Sequence, residues 1–217
     1  MDLYPVNLRL KGKKVLVVGG GKVAYRKLKR LVTTEAKVEL VSPQLIEPVR
    51  KLIKEEEINY KKREFLELDL EGSFLVIAAT DQSGLNQQIA QLAEQKEILV
   101  NAIDNLELST CTLPAVIKRG DLLITIATGG SLPALSRQIR LKLEEEFGAG
   151  FALFLQLLSE IRPLVIDKVE QEEQRRKIFR KLADLDLIEQ LEVDRSAGIE
   201  EVKKILPEQV VAELELT

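Results

Sequence analysis

The chain contains no histidine, and only one cysteine and one methionine among its 217 residues. Without imidazole it has no side chain whose ordinary pKa lies near neutrality, no histidine metal ligand and no Ser-His-Asp triad. A single cysteine, Cys111, excludes an intramolecular disulfide. Neither sign of charge prevails. The 32 basic and 35 acidic residues leave a net charge of −3, so no global field draws the chain to nucleic acid or to an anionic membrane. No apolar run approaches the ~20 residues of a membrane span. The start, Met1-Asp2-Leu3-Tyr4-Pro5, lacks the charged and apolar regions of a signal peptide. The expectation is a cytoplasmic protein with no metal site. With 45% hydrophobic residues the chain can bury a sizeable core. Its chemistry is left to carboxylates, hydroxyls, lysines or a bound cofactor that carries the hard step itself.

What is present begins at Lys14-Val15-Leu16-Val17-Val18-Gly19-Gly20-Gly21-Lys22-Val23-Ala24. Val15 to Val18 form a continuous apolar run of β-formers, as a strand buried on both faces requires. Gly19 ends the strand at a sharp turn, Gly21 lets the backbone approach a pyrophosphate, and Ala24 is small enough for the next helix to pack closely. Free N–H groups and the positive end of a helix dipole then face the phosphates. The pattern predicts a bound dinucleotide, against the alternative of a plain turn between strand and helix.

Beyond the glycines, apolar runs alternate with helical periodicity. Val23, Leu28 and Leu31 give one face of a helix, Val38 to Val41 a second strand, 45–57 a short charged helix and 59–63 a weak strand. Phe74 to Ala79 is a buried strand, Leu85, Ile89 and Leu92 mark a helix, and Leu99 to Ile103 is a further strand. Strands alternating with helices imply an α/β fold with a doubly wound parallel sheet, Rossmann-like. Two β-type runs, Thr112 to Ile117 and Leu122 to Thr128, then break the rhythm. Lys118-Arg119-Gly120-Asp121 between them reads as a hairpin turn. Thr128-Gly129-Gly130 opens a helix over Ala134 to Phe147, with Pro133 tolerated at its start. Gly148-Ala149-Gly150 and Asp194 to Gly198 mark breaks in a helical remainder. The expected domains are a dinucleotide-binding domain over 1–111, a pairing region over 112–147 and a helical domain over 148–217. The apolar strands of the middle region leave an edge that invites a second copy of the chain.

Three groups of residues fall on the rim where open α/β sheets bind ligands. At the tip of the second strand, Ser42-Pro43-Gln44 stands where a ribose-binding carboxylate is usual, so a hydroxyl, an amide or backbone groups hold the ribose. The nearest basic residue following this tip is Arg50. Small residues in Ala78-Ala79-Thr80-Asp81 leave room for ribose and nicotinamide, and Thr80, Asp81 or Ser83 suits the N-cap of the next helix. Past the last strand of the sheet stand Asp104 and Asn105. Asp104 is the candidate acid-base group, and an Asx turn is the alternative.

The order of these motifs resembles the precorrin-2 dehydrogenase and sirohydrochlorin ferrochelatase family, the N-terminal region of sirohaem synthase. The likeness runs through Leu3-Tyr4-Pro5 with Leu10, the turn Val17 to Ala24, Ala78-Ala79-Thr80-Asp81 with Leu85-Asn86, Val100-Asn101-Ala102-Ile103-Asp104, and Thr128-Gly129-Gly130 through Pro133-Ala134-Leu135-Ser136-Arg137. The resemblance implies a homodimer that uses NAD to oxidise precorrin-2, a tetrapyrrole, to sirohydrochlorin, and in bifunctional members inserts ferrous iron. It places Lys22, Val23, Pro43 and Gln44 against NAD and makes Asp104 the key aspartate. Thr128, Gly129 and Gly130, with Asn105, are the candidate substrate contacts. Thr128 keeps the hydroxyl of the serine found in some members, whereas Ser131-Leu132-Pro133 replaces the more usual x-Ser-Pro and loses one. Dehydrogenation alone is the preferred reading, with the bifunctional enzyme as its alternative. From another class, a non-catalytic NAD-sensing module shares the glycine turn but has no need of Asp104.

Overall fold

A computed structural model describes residues 3–103, 105–130 and 132–214. The chain divides into two compact units, Met1–Leu113 and Pro114–Thr217.

The first unit holds a parallel sheet of β1 (Lys14–Val18), β2 (Lys37–Val41), β3 (Asn59–Lys61), β4 (Ser73–Ala78) and β5 (Leu99–Ala102), in the order β3-β2-β1-β4-β5. Its helices are α1 (Lys22–Leu31), α2 (Glu47–Glu55) and α3 (Ser83–Gln95), with a 3₁₀ turn over Glu67–Leu70. Successive strand residues point to opposite faces, and both faces are covered. Val15, Val17, Val38, Leu40, Leu75 and Ile77 pack under Ala24, Leu28 and Leu31 of α1 and Val49 and Leu52 of α2. Leu16, Val18, Val41, Val76, Val100 and Ala102 pack under Ile89, Ala90 and Ala93 of α3 and under Leu70. The sheet is thus doubly wound, as its apolar strand runs predict. Chain order reverses between β1 and β4, whose exits lead to helices on opposite faces, and this opens a crevice at the carboxyl ends.

A few boundaries differ from the periodic reading. The weak strand ends at Lys61, and Lys61 and Arg63 beyond it turn their side chains to Asp69. Asp69 is 2% exposed, and its carboxylate takes a two-pronged bond from Arg63 at 2.6 and 2.7 Å, one from Lys61 at 3.2 Å and one from the Leu66 N–H at 3.0 Å. Arg63 holds the Asp69 carboxyl well below the usual carboxylate range, against burial, which pushes it up. Asp69→Asn leaves Arg63 without its anion and is expected to cost about 3 kcal/mol of stability. Because the folded pKa lies below the unfolded 3.8, this contribution is present above about pH 4 and is lost as the pH falls through the folded value. Urea unfolding at pH 7 and at pH 2.5 checks both statements: the gap between wild type and variant narrows at the lower pH.

The second unit begins with an antiparallel pair, β6 (Ala115–Arg119) and β7 (Leu122–Ile126), joined through Gly120 with φ of 57°. The hairpin is as predicted, but its first strand starts three residues late, because Pro114 has no N–H for a ladder. The second stops at Ile126, short of Thr128. Helix α4 (Pro133–Glu146) follows, then α5 (Gly150–Lys168), α6 (Glu172–Leu182), α7 (Leu185–Val193), α8 (Arg195–Ile205) and the short α9 (Glu208–Val211). Phe154, Leu157, Ile161 and Val165 of α5 form a core with Ile178, Leu182, Ile188, Leu191, Val202, Leu206 and Val210. The break expected over Asp194 to Gly198 shrinks to Asp194, whose carboxylate caps α8 through the Ala197 N–H. Gly198 lies within α8, where a Cβ would stand 2.8 Å from the Leu191 backbone. Among the described residues no single helix is long and apolar enough to cross a bilayer.

Candidate dinucleotide site

The three glycines do three different things. Gly19 has φ of 119°, and a Cβ there would lie 2.2 Å from the Ala79 carbonyl oxygen, so β1 and β4 leave the sheet in contact. A Cβ on Gly20 would lie 2.1 Å from the Gln44 carbonyl oxygen and 2.9 Å from Ser42 Oγ. Around Gly21 a Cβ would meet nothing within 4 Å. The first two glycines are packed against neighbouring loops, and the third is an open cradle. Gly21 is the N-cap of α1 in extended conformation, with no acidic side chain in the first turn of that helix. Lys22 is exposed, Val23 half-buried and Ala24 buried. The first N–H groups of a helix have no intrahelical acceptor, so this open end of α1 suits a pyrophosphate by shape and by dipole.

Backbone bonds knit the exits of β2, β1, β4 and β5 into one rim. The Gly19 N–H donates to the Val41 carbonyl at 2.9 Å and the Ile46 N–H to that of Gly20 at 3.0 Å. On the other side the Ala79 N–H donates to Val18 at 2.8 Å and the Ile103 N–H to Ala78 at 3.2 Å.

Each sequence candidate of the first unit other than Asp104 can be placed on this rim. Ser42 is buried and donates its hydroxyl to the Gln44 carbonyl at 2.6 Å, while Tyr60 donates to the Ser42 carbonyl at 2.9 Å. Ser42 thereby shapes the loop, and Pro43 and Gln44 are its exposed residues. The first turn of α2 brings Arg50 back to the same loop, where Nε donates to the Leu45 carbonyl at 3.3 Å. Ala79 is buried against Gly19, and Asp81 is exposed. Thr80 is held by Asn86, a residue 1% exposed whose Oδ1 accepts from the Thr80 N–H at 3.1 Å and whose Nδ2 donates to the Thr80 carbonyl at 3.1 Å. The expected N-cap residues give way to this arrangement. Gln82 is the N-cap of α3 without a side-chain cap, and the Gln82 N–H donates to Thr80 Oγ1 at 3.2 Å. Asn86 enters the sequence reading only within the motifs of the resemblance, and its role at Thr80 emerges from the fold. Its signal is a buried amide among apolar helix positions, five residues after Asp81.

At the exit of β5, Asp104 lies outside the described residues. Asn105 is exposed and forms an Asx turn of its own, its Oδ1 accepting from the Glu107 N–H at 2.9 Å. The free edge of β5 is covered by residues 109–111. Thr110 Oγ1 accepts from the Val100 N–H at 2.9 Å, Ser109 Oγ from that of Ala102 at 2.9 Å, and Asn101 Nδ2 donates to the Cys111 carbonyl at 3.1 Å. Burial pushes the Cys111 thiol up and Lys27 opposes the rise, so Cys111 serves as packing rather than as a thiolate.

Thr128, Gly129 and Gly130 lie in the second unit, between β7 and α4. Both glycines adopt left-handed conformations, with φ of 61° and 80°, and Thr128 Oγ1 lies 3.0 Å from Ser136 Oγ and donates to the Leu132 carbonyl at 3.2 Å.

The reversed strand order, the open cradle at Gly21 and the exposed N-terminus of α1 define a dinucleotide-binding domain of the doubly wound class. Residues 6–115, just over half of the chain, match the family described as putative NAD(P)-binding. The chain belongs to that family. It is similar to siroheme synthases, being 32% identical to that of Chromobacterium violaceum over 205 residues, 94% of this chain and 44% of that protein. It is 35% identical to that of Thioalkalivibrio sulfidiphilus over 85% of this chain and 38% of the relative. The chain therefore spans less than half the length of these relatives. A solved structure titled "SirC, precorrin-2 dehydrogenase" superposes with a TM-score of 0.75 at 25% identity, covering 93% of this chain and all of that one.

Proposed function

We propose that the protein oxidises precorrin-2 to sirohydrochlorin with NAD, in the cytoplasm and as a homodimer. The observation that carries this reading is similarity to a precorrin-2 dehydrogenase over 93% of the chain, together with an open cradle at Gly21 that suits a dinucleotide. When bound, nicotinamide supplies the acceptor for the hydride. The chain's own residues do the rest. Gly21 and the α1 N-terminus hold the pyrophosphate, Lys22 and Val23 flank it, the loop Ser42-Pro43-Gln44 takes the adenosine ribose, and Ala79, Thr80 and Asp81 line the nicotinamide side. Removing two hydrogens from the substrate releases a proton along with the hydride. Asp104, two residues past β5, accepts that proton on its carboxylate and passes it to water. Asn105, Thr128, Gly129 and Gly130 contact the tetrapyrrole.

Mixing protein, NAD and precorrin-2 under anaerobic conditions tests the reading. NADH absorbance and the sirohydrochlorin spectrum are expected to grow together at equal molar rates. NAD binding with neither product would instead make the protein a sensor.

Self-pairing is supported by the second unit. In α4 the only buried residue is Ser136, while Leu135 and Leu141 are exposed, as are Leu123 of β7 and Leu132 in the preceding loop. A two-stranded sheet is marginal by itself, and exposed leucines on the helix beside it call for a cover. We assign residues 112–147 as the region that a second copy covers, leaving 148–217 as the helical domain. Light scattering at micromolar concentration is expected to give twice the 24.4 kDa of one chain, and a monomer throughout that range would overturn the assignment.

A further inference from the structure

We propose that Asn86 is a positioning residue for the nicotinamide half of the dinucleotide, acting through Thr80. The inference rests on the reading that Ala79, Thr80 and Asp81 line that side of the site. Asn86 directs its whole amide at one residue. Its Oδ1 accepts from the Thr80 N–H at 3.1 Å and lies 2.8 Å from Thr80 Oγ1, and its Nδ2 donates to the Thr80 carbonyl at 3.1 Å. The N–H belongs to the peptide between Ala79 and Thr80 and the carbonyl to the next peptide, so one side chain fixes two successive peptide planes. The first of these planes lies against the glycine turn. A Cβ at Gly19 would stand 2.2 Å from the Ala79 carbonyl oxygen and 3.0 Å from the Thr80 nitrogen.

Helix α3 does not need an amide at this position. Asn86, Ile89, Ala90 and Ala93 are its buried residues, at the i, i+3, i+4 and i+7 spacing of one face. An apolar side chain would complete that face, whereas an amide 1% exposed is costly unless its hydrogen bonds are made. Asn86 does not cap the helix either, since its N–H donates to the Gln82 carbonyl at 3.0 Å as an ordinary helical residue does. What the amide adds is a strand exit set in one conformation before a ligand arrives, with Thr80 half-buried and Asp81 exposed beside it. A site ordered in advance loses less entropy on binding.

Asn86→Ala is expected to weaken NAD about 10-fold, the size of ordering one backbone residue anew on binding. ADP, which carries the adenosine and both phosphates but no nicotinamide half, should bind within about two-fold of wild type. Calorimetric titration with each ligand reads this split. Asn86→Leu completes the apolar face of α3; it is expected to melt above the alanine variant with the same loss toward NAD, and it supplies the reading should the alanine variant not fold. Asp69→Asn destabilises the same unit from the amino end of the sheet, where Lys14 Nζ donates to the Asp69 carbonyl at 3.0 Å, and should leave both affinities as in wild type. An equal fall for NAD and ADP in the Asn86 variants, or a similar loss of NAD in Asp69→Asn, overturns the inference. Wild type that binds neither ligand removes the dinucleotide reading and the proposal together. Wild type that binds both, with the folded Asn86 variants unaltered toward NAD, removes only the role of Asn86.

Discussion

Gly21→Asp is expected to abolish NAD binding in a protein that remains fully folded. The two halves of this expectation have separate physical causes. A Cβ at Gly21 meets nothing within 4 Å, and the residue sits at the N-cap of α1 with φ of −92°, which any side chain adopts. Aspartate is a favoured N-cap, so relative to glycine the variant gains about a few tenths of a kcal/mol for the helix. The same carboxylate occupies the space and the N–H groups that a pyrophosphate needs. Two like charges ~4 Å apart at an effective dielectric near 20 repel by about 4 kcal/mol, roughly a thousand-fold in Kd. Calorimetric titration with NAD and a thermal melt of the apoprotein read the two effects independently. The melting temperature should hold or rise while the binding heat disappears; unchanged NAD affinity in the folded variant would remove Gly21 from the phosphate site. The other two glycines give no such clean test, because a Cβ at Gly19 or Gly20 collides with a backbone carbonyl.

That contrast marks where the sequence was readable. Strand and helix positions of the first unit follow from local pattern, since Leu16 and Val17 must bury opposite faces and Ala24 and Leu28 must share one. The glycine turn is local as well, with Gly19 in the sharp turn at φ of 119° and Gly21 open at the start of α1. Gly20 was not legible, because what crowds it is the Gln44 carbonyl, 24 residues away, and only the folded loop brings that atom near. The same holds for Asn86 and Ser109. Each is a small polar residue in an ordinary place, and its meaning lies in which backbone groups it meets. Arg50 is six residues past the tip of β2 in the sequence but is folded back onto the loop by α2. Asp69 and Arg63 follow no periodicity, so their pairing comes from tertiary geometry alone. Boundaries slipped where a single residue overrode a pattern, as Pro114 did at the start of β6.

Asp104→Ala is expected to lower dehydrogenase turnover by about 10²–10⁴-fold, the usual worth of a positioned acid-base group, without weakening NAD. The chain has no histidine to take over the proton, and Cys111 is held as a thiol by its burial. Few groups are therefore left to substitute for a carboxylate at the rim. Asp104→Asn keeps the size and hydrogen-bonding capacity but not the basicity. It should be nearly as slow as the alanine variant if proton transfer is the role, and nearly as fast as wild type if orientation of the substrate is. Near-normal turnover in Asp104→Ala would overturn both. The same variant bears on the alternative bifunctional reading, because metal insertion also requires a base, to take the pyrrole protons as the macrocycle supplies the metal ligands. With sirohydrochlorin and Co²⁺ supplied anaerobically and no NAD present, wild type is expected to show no rate above the protein-free control. An enzyme-dependent rate that vanishes in Asp104→Ala would mean that one carboxylate serves two reactions.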